Sequence, residues 1–355
     1  MKAVIIAGGL GTRLRPLTYN TPKPIVPVAN RPFVVHQIEH LAKHGIDEVI
    51  LNLHYLSHEI KKILDREARE WGIKIRYSIE EHPLGTAGAV KNAEEFFGDE
   101  PMVIFNGDVL TDLNISKLVN YHREKGATVT LTLTEVEDPT PFGLVLTDKD
   151  GRVTDFLEKP SWDMVTSKNI NAGTYVVDPK IFKDVPKGKV YSFERELYPS
   201  LLRGGVPIYG YISHSYWIDI GNPQKYKEVH QAILRGEVAV KVIGTRIDGK
   251  FWLGKDTHPD PSVRFIGPSI VGENVKLGKE TEIRDCVVIG DHVSIGKHCS
   301  LDRAIVWKGT KIGNNVKLSD CILGYNCVIE DDVVIDHGVV LADGSVVKKG
   351  TRLTS

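Results

Sequence analysis

Near the N-terminus the run Gly8-Gly9-Leu10-Gly11-Thr12-Arg13-Leu14-Arg15, followed by Pro22-Lys23-Pro24, assembles what a bound phosphate needs. Glycine lets backbone N–H groups approach phosphate oxygens, because no side chain stands between them. Arg13, Arg15 and Lys23 add cations around that backbone. Nucleotidyl and phosphoryl transfer are catalysed mainly by positioning and charge neutralisation, so the set suits a departing pyrophosphate. Two other phosphate loops are excluded. The dinucleotide fingerprint needs glycine at position 14, where the chain has Leu14, and Pro16 interrupts the helix that should follow; the ATPase loop needs Gly-Lys-Ser/Thr, which is absent. A solvated basic turn is the bland alternative, and the stiffening glycines and prolines argue against it.

Carboxylates supply the complementary chemistry. Asp108 ends Asn106-Gly107-Asp108 after the apolar run MVIFN, at the C-terminal end of an expected parallel strand, where open α/β sheets bind ligands. Asp219 lies in YWIDIG at 216–221. Two aspartates with phosphate oxygens make a hard donor set for Mg²⁺, although alone the first is a turn signal and the second a helix-entry residue. Glu158-Lys159-Pro160 ends another strand, with a carboxylate for sugar hydroxyls and an ammonium for a sugar phosphate; alone it would be an ordinary surface ion pair. The segment EEHPLG at 80–85 offers Glu80 and Glu81. A carboxylate accepts both the N1–H and the amino group of guanine, whereas the carbonyls of uracil or thymine repel it, so GTP is the expected nucleotide. His36, His40 and His44 share one helix face but lack the companions of a zinc site, and a solvated row is expected.

The elements that must position these residues alternate. AVIIA at 3–7, EVILNL at 48–53, KIRYSI at 74–79 and MVIFN at 102–106 are separated by amphipathic runs, including a helix from near Pro32 to Gly45, which predicts a mostly parallel sheet covered on both faces. From 127 to 157 hairpin-like strands turn at Asp150-Gly151. A further helix opens at Asn222-Pro223 and stops at Gly236. Beyond it, large apolar residues recur every six positions at Leu277, Ile283, Ile289, Ile295, Leu301 and Trp307, then after one-residue deletions at Ile312 and Leu318 and from Leu323 to Val347. Smaller side chains sit four places later, among them Val293, Cys299, Ile305 and Ile322, and Gly278, Gly290, Gly296, Gly313 and Gly324 mark the expected corners. This period belongs to a parallel β-helix. The predicted division is residues 1–236, a linker and first coil at 237–262, and the repeats at 263–355.

Composition narrows the partners. With 45 basic and 46 acidic residues the net charge is -1, which leaves no electrostatic footprint for nucleic acid or an anionic membrane, so small molecules are expected. No apolar run approaches a signal segment or a membrane span, which predicts a cytoplasmic protein. Cys286, Cys299, Cys321 and Cys327 form no CxxC pair and read as buried reduced thiols.

GGLGTRLRPLT with PKP, FNGDV, EKP, INAGTYV and YWIDIGNP, in this order and followed by hexapeptide repeats, resembles the nucleoside-diphosphate-sugar pyrophosphorylases over essentially the whole chain. SFERELYPSLL and YWIDIGNP favour the guanylyltransferase branch of these sugar-phosphate nucleotidyltransferases. The resemblance implies a Rossmann-like α/β nucleotidyltransferase domain followed by a left-handed parallel β-helix, with GTP and mannose 1-phosphate as substrates and Mg²⁺ as cofactor. It places Arg13 and Lys23 on the triphosphate, with Gly8, Gly9, Gly11, Thr12, Glu80 and Gly85 around the nucleotide. Asp108 and Asp219 would bind the metal, making Arg13, Lys23 and Asp108 the catalytic set. Lys159 would grip the sugar phosphate, Glu158 and Asn171 the hexose, and Gly143 would add a backbone contact. Other readings are a UTP- or dTTP-dependent glucose-1-phosphate enzyme, a bifunctional enzyme whose repeats acetylate an amino sugar, and a non-catalytic regulatory subunit. The chain ends soon after the last coil, leaving no arm to enclose acyl-CoA, and the intact Arg13, Lys23, Asp108 and Asp219 oppose the regulatory reading. Open coil ends predict a homo-oligomer through the β-helix.

Overall fold

The computed structural model describes residues 1–67 and 72–354. Its contacts divide the chain into two compact units that do not follow chain order: Met1–Leu10 with Gln37–Asp219, and Gly11–His36 with Ile220–Ser355. This differs from the contiguous division at residue 236, because residues 11–36 and the helix after Asn222 bond to the repeats. Among the described residues no helix is long and apolar enough to cross a membrane.

In the first unit the parallel strands are β1 (Lys2–Ile6), β2 (Glu48–Leu53), β3 (Lys74–Ile79) and β4 (Met102–Asn106). Their spatial order is β4-β1-β2-β3. The runs in β1, β2 and β4 are apolar at successive positions because both faces are covered, and Val4, Ile50 and Ile104 are fully buried. At the sheet edge β3 alternates exposed and half-buried residues instead. The chain goes outward from β1 to β3 and then crosses back to β4 on the other side of β1. That reversal creates a switch point at the C-terminal ends of β1 and β4, where the glycine loop and Asp108 begin.

The strands that follow are mostly antiparallel, and all but two of them extend the sheet. A short β5 (Val109–Thr111) follows Asp108, then β6 (Val129–Glu135) and the hairpin β7 (Gly143–Thr147) and β8 (Val153–Glu158), turned by Gly151 at φ 84. The long β9 (Asn169–Val177) pairs with β4, β6 and β7. Next, β10 (Ile208–Ile212) runs parallel to β6, and β11 (Trp217–Asp219) pairs with β5. Helix α1 (Phe33–Lys43) corrects the solvated histidine row. His36 is 4% exposed and donates from Nε2 to the Val28 carbonyl at 2.9 Å, and His40 donates likewise to Leu113 at 2.8 Å. These carbonyls satisfy imidazoles inside the protein, and burial pushes His40 down to about 4.

In the second unit α2 (Pro223–Arg235) has the caps its sequence specifies: the Asn222 side chain accepts from the Lys225 N–H, and Gly236 closes it at φ 76. The repeats then wind a parallel β-helix with three sheets. Non-glycine residues in the left-handed region mark its corners at Asn274, Glu280, Cys286, His292, His298, Arg303, Asn315, Asp320, Asn326 and Asp332. The glycines expected at corners do something else. A Cβ on Gly296 would lie 2.4 Å from the Gly313 carbonyl, and one on Gly278 equally close to that of Gly296, so these glycines let successive coils approach.

The structure also moves the first deletion. Val306, not Trp307, continues the interior column through Ile289 and Leu323, and Ala304 and Cys321 take the inward places assigned to Ile305 and Ile322. Ile270, Val288, Ile305 and Ile322 therefore face outward, yet each is at most 3% exposed. Helix α2 lies over this face, with Lys227 on Asp320 at 2.8 Å, Arg235 on Asp285 at 3.5 Å and Tyr226 on Trp307. The four cysteines are buried free thiols, as expected.

Candidate active site

At the switch point, Gly107 N–H donates to the Ile6 carbonyl at 2.9 Å, and a Cβ there would sit 2.4 Å from that oxygen. Only glycine lets β4 leave the sheet so close to β1, and Asp108 follows it directly, half-buried. Asp219 lies opposite Val109, the residue after Asp108, in the β5–β11 ladder. Two aspartates far apart in sequence thus stand at the ends of adjoining strands. Among the described residues no group of three His, Cys, Asp or Glu is gathered around one metal position.

Glu80 lies beneath the glycine loop. It is 5% exposed, its Oε2 accepts from the Leu84 N–H at 2.9 Å, and Oε1 meets no donor among the described residues. A Cβ on Gly8 would come 2.7 Å from Oε1, so Gly8 is bare partly to admit this carboxylate. Burial pushes Glu80 above the usual carboxylate range, partly offset by the Leu84 N–H. Glu81, by contrast, is exposed. Gly85, at φ 74, opens a helix over Gly85–Asn92, and the chain before it is held by the Tyr191 N–H on the Leu84 carbonyl at 2.9 Å. Gly9 has open space where a Cβ would go.

The expected hexose residues gather on β7, β8 and β9. A Cβ on Gly143 would meet the Phe156 ring at 2.6 Å and Glu158 Oε2 at 3.2 Å, which sets that backbone against the carboxylate. Lys159 takes a left-handed φ of 51 while its N–H donates to the Phe142 carbonyl at 2.9 Å. Asn171 donates from Nδ2 to Tyr175 Oη at 2.9 Å, and its Oδ1 accepts from the Gly173 N–H at 3.1 Å. Trp217 walls the region, donating from Nε1 to the Ala172 carbonyl at 2.8 Å.

Sequence reasoning missed Glu194. Its Oε2 accepts from Thr86 Oγ1 at 2.9 Å and Ser192 Oγ at 2.6 Å, tying it to the helix Gly85–Asn92. Burial, then repulsion from Glu194, raises Glu158 above the usual carboxylate range, with Lys159 and Arg195 opposing. The segment SFEREL has three charged residues in six, so nothing local singles out Glu194.

Gly11, Thr12, Arg13 and Lys23 belong to the second unit and are joined to Gly8 and Gly9 through the Leu10–Gly11 peptide. Gly11, at φ 64, leaves its carbonyl to accept from Thr18 Oγ1 at 2.7 Å, and a Cβ there would touch Lys23 Cβ at 3.2 Å. The loop therefore curls so that its glycine lies beside Lys23. Arg13 is exposed on a 3-10 turn, Thr12–Leu14, and Lys23 opens another, Lys23–Ile25.

A glycine loop and an aspartate at the switch point of a parallel sheet, followed by a β-helix, define a nucleotide-dependent transferase. The chain belongs to the Nucleotidyl transferase family, which residues 2–236 match, while residues 248–353 match the EIF2B subunit epsilon LbH domain, a left-handed β-helix. It is similar to the mannose-1-phosphate guanylyltransferase of Mycobacterium tuberculosis, with 38% identity over 81% of this chain and 79% of that protein. It also resembles the UTP–glucose-1-phosphate uridylyltransferase of Synechocystis, 32% identical over 81% of this chain and 82% of that one. Among solved structures, HddC from Yersinia pseudotuberculosis complexed with GMP-PN matches with 31% identity and a TM-score of 0.56, covering 64% of this chain and 97% of that one. The protein is thus a nucleotidyltransferase of the sugar-phosphate type.

Proposed function

We propose that the protein transfers GMP from GTP to mannose 1-phosphate, giving GDP-mannose and pyrophosphate. The observation that carries the choice of base is Glu80, a buried carboxylate with one oxygen spent on the Leu84 N–H and the other lacking a donor. Guanine brings N1–H and an amino group, the donors such an oxygen needs, while uracil brings carbonyls on both sides of its single N–H. The names of the Mycobacterium tuberculosis and Yersinia pseudotuberculosis matches agree with a guanine nucleotide.

In the reaction a sugar-phosphate oxygen attacks the α-phosphorus, the bond from that phosphorus to the bridging oxygen breaks, and pyrophosphate leaves with the electron pair. Arg13 and Lys23 neutralise the departing charge, and the N–H groups of Gly8, Gly9, Gly11 and Thr12 bind phosphate oxygens. Lys159 pairs with the sugar phosphate, while Glu158 and Asn171 accept from and donate to hexose hydroxyls beside the Gly143 backbone. Asp108 and Asp219, as hard oxygen donors, would hold Mg²⁺, which when bound would supply charge neutralisation at the transferred phosphate.

A second reading, UTP with glucose 1-phosphate, draws on the Synechocystis match. Pyrophosphate release measured over GTP, ATP, UTP, CTP and dTTP with mannose, glucose, galactose and glucosamine 1-phosphates separates the two. The highest kcat/KM is expected for GTP with mannose 1-phosphate. A clear preference for UTP or dTTP with glucose 1-phosphate overturns the proposal.

A further inference from the structure

Within the second unit, residues 11–36 are bonded to α2 and to the β-helix on both sides of Lys23. Before it, the Asn20 side chain hydrogen-bonds Asp343, whose Oδ1 also accepts from the Tyr325 N–H at 2.9 Å. After it, the chain turns back through a two-residue ladder pairing Pro27–Val28 with Arg31–Pro32, with Ala29 and Asn30 both at positive φ as a tight hairpin turn requires. Tyr226 Oη of α2 donates to the Pro27 carbonyl. The same hydroxyl accepts from Trp307 Nε1 at 3.0 Å, and the indole stands 4.7 Å from the Tyr325 ring. At the hairpin tip Asn30 Nδ2 donates to the Ile289 carbonyl at 2.7 Å, and Arg31 reaches the Lys241 carbonyl at 3.2 Å. Tyr226 and Trp307 are 0% and 2% exposed, so their hydrogen bonds have no water to compete with them.

We propose that the β-helix is the platform that sets the position of Lys23, and that Tyr226, Trp307 and Asn30 are positioning residues for nucleotidyl transfer. Three features carry this. The anchors flank Lys23 in sequence, at Asn20 and at Pro27 to Arg31, so the lysine is held on both sides. The intervening chain has little slack: the Val26 N–H returns to the Lys23 carbonyl at 3.2 Å, and Val26 and Val28 are fully buried. Tyr226 Oη donates to one partner while accepting from another, which fixes it in direction as well as distance. Trp307 also explains why the coil shortens one turn early. Putting Val306 inside the column leaves the indole outside, where its N–H has a partner.

The proposal rests on the reading that Lys23 grips the triphosphate. A lysine displaced by about 1 Å would cost up to about a hundredfold in rate, without changing the residues that hold the sugar phosphate. Its test uses the full chain and the substrate pair that wild type turns over best, so a wrong choice of base or sugar does not touch it. Tyr226→Phe and Trp307→Phe keep an aromatic ring and remove a hydrogen-bonding group; Asn30→Gly removes the amide and keeps the positive φ. Each variant is expected to lower kcat/KM for the nucleotide about tenfold, with KM for the sugar phosphate within twofold of wild type. Lys348→Ala, which breaks an exposed ion pair with Glu330 on a late coil, is expected to change neither constant. Asn30→Gly alters no buried ring and decides the matter should the aromatic variants not fold. Wild-type nucleotide constants in the folded variants, or losses for both substrates that track the fall in melting temperature, overturn the proposal. A wild type that releases no pyrophosphate with any pair instead sinks the reading beneath it.

Discussion

At Glu80 burial disfavours the charged form of a carboxyl whose Oε1 meets no donor among the described residues. Burial raises this carboxyl, so between the ordinary glutamate value and the raised one the folded state binds the proton more tightly than the unfolded chain. Its contribution to stability therefore falls as pH rises through that window. Glu80→Gln is expected to raise the melting temperature of the free protein at pH 7, with the gain shrinking below the carboxylate range. The same change removes a charge-assisted acceptor for guanine and should weaken GTP by about 1.5–3 kcal/mol per bond lost. Melting curves at two pH values and the GTP to UTP ratio of kcat/KM check both halves, and an unchanged ratio would exclude Glu80 as the base reader. Asp108→Asn is expected to leave melting nearly unchanged and to hold turnover below about a tenth of wild type, since charge neutralisation at the phosphate is worth several kcal/mol. Asp108 was legible because a strand end and a glycine announced it. Glu194 was not, because its partner Thr86 comes from a distant segment and no local pattern records their meeting.

The strands and helices were legible where one physical requirement dominates. Runs such as EVILNL can only be covered on both faces, and Asn222 with Gly236 supplies both ends of α2. The β-helix register was harder at 301–307, where Val306 and Trp307 are both apolar and hexad counting cannot choose between them. Interior space and the indole N–H make the choice. The repeat glycines were recognised but assigned to corners; the corners are instead held by residues such as Asn274, Asn315 and Asp332, at φ 53, 56 and 62. The two roles have different costs. Gly296→Ala would press a Cβ to 2.4 Å from the Gly313 carbonyl, whereas Gly344, at φ 70, has open space there. Gly344→Ala is expected to cost about 1–2 kcal/mol of left-handed strain, and Gly296→Ala more, because the coils themselves must separate. Denaturant midpoints that rank the two the other way would show that corner strain, not coil contact, selects these glycines.

At the scale of the whole molecule, sequence order suggested one domain after another, and the contacts do not respect it. Residues 11–36, which carry Arg13 and Lys23, cluster with the repeats, because Asn20, Pro27, Asn30 and Arg31 find their hydrogen-bond partners on α2, on the β-helix or on the chain between them. No hydrophobic period could reveal this, since the nearest of these partners in sequence, Tyr226 and Pro27, are 199 residues apart. It also alters what truncation near Thr245 should do. Every nucleotidyl-transfer residue would remain in the shortened chain, but the outward face of Ile270, Val288, Ile305 and Ile322 that α2 covers would be gone, along with Trp307, Ile289 and Asp343. The shortened protein is therefore expected to be smaller by light scattering, poorly soluble because α2 then exposes the side that carries Tyr226 and Val229, and weakened in nucleotide use by at least the loss seen in Trp307→Phe. An enzyme that acetylates amino sugars on its repeats would lose acyl-CoA consumption on truncation, and here none is expected even at full length. Val328 and Val346, paired on successive coils and 36% and 54% exposed, give the full chain a reason to assemble. A full chain that sediments as a monomer from low to high concentration would remove that reason, and a truncated chain with wild-type nucleotide kinetics would leave the β-helix with no part in the chemistry.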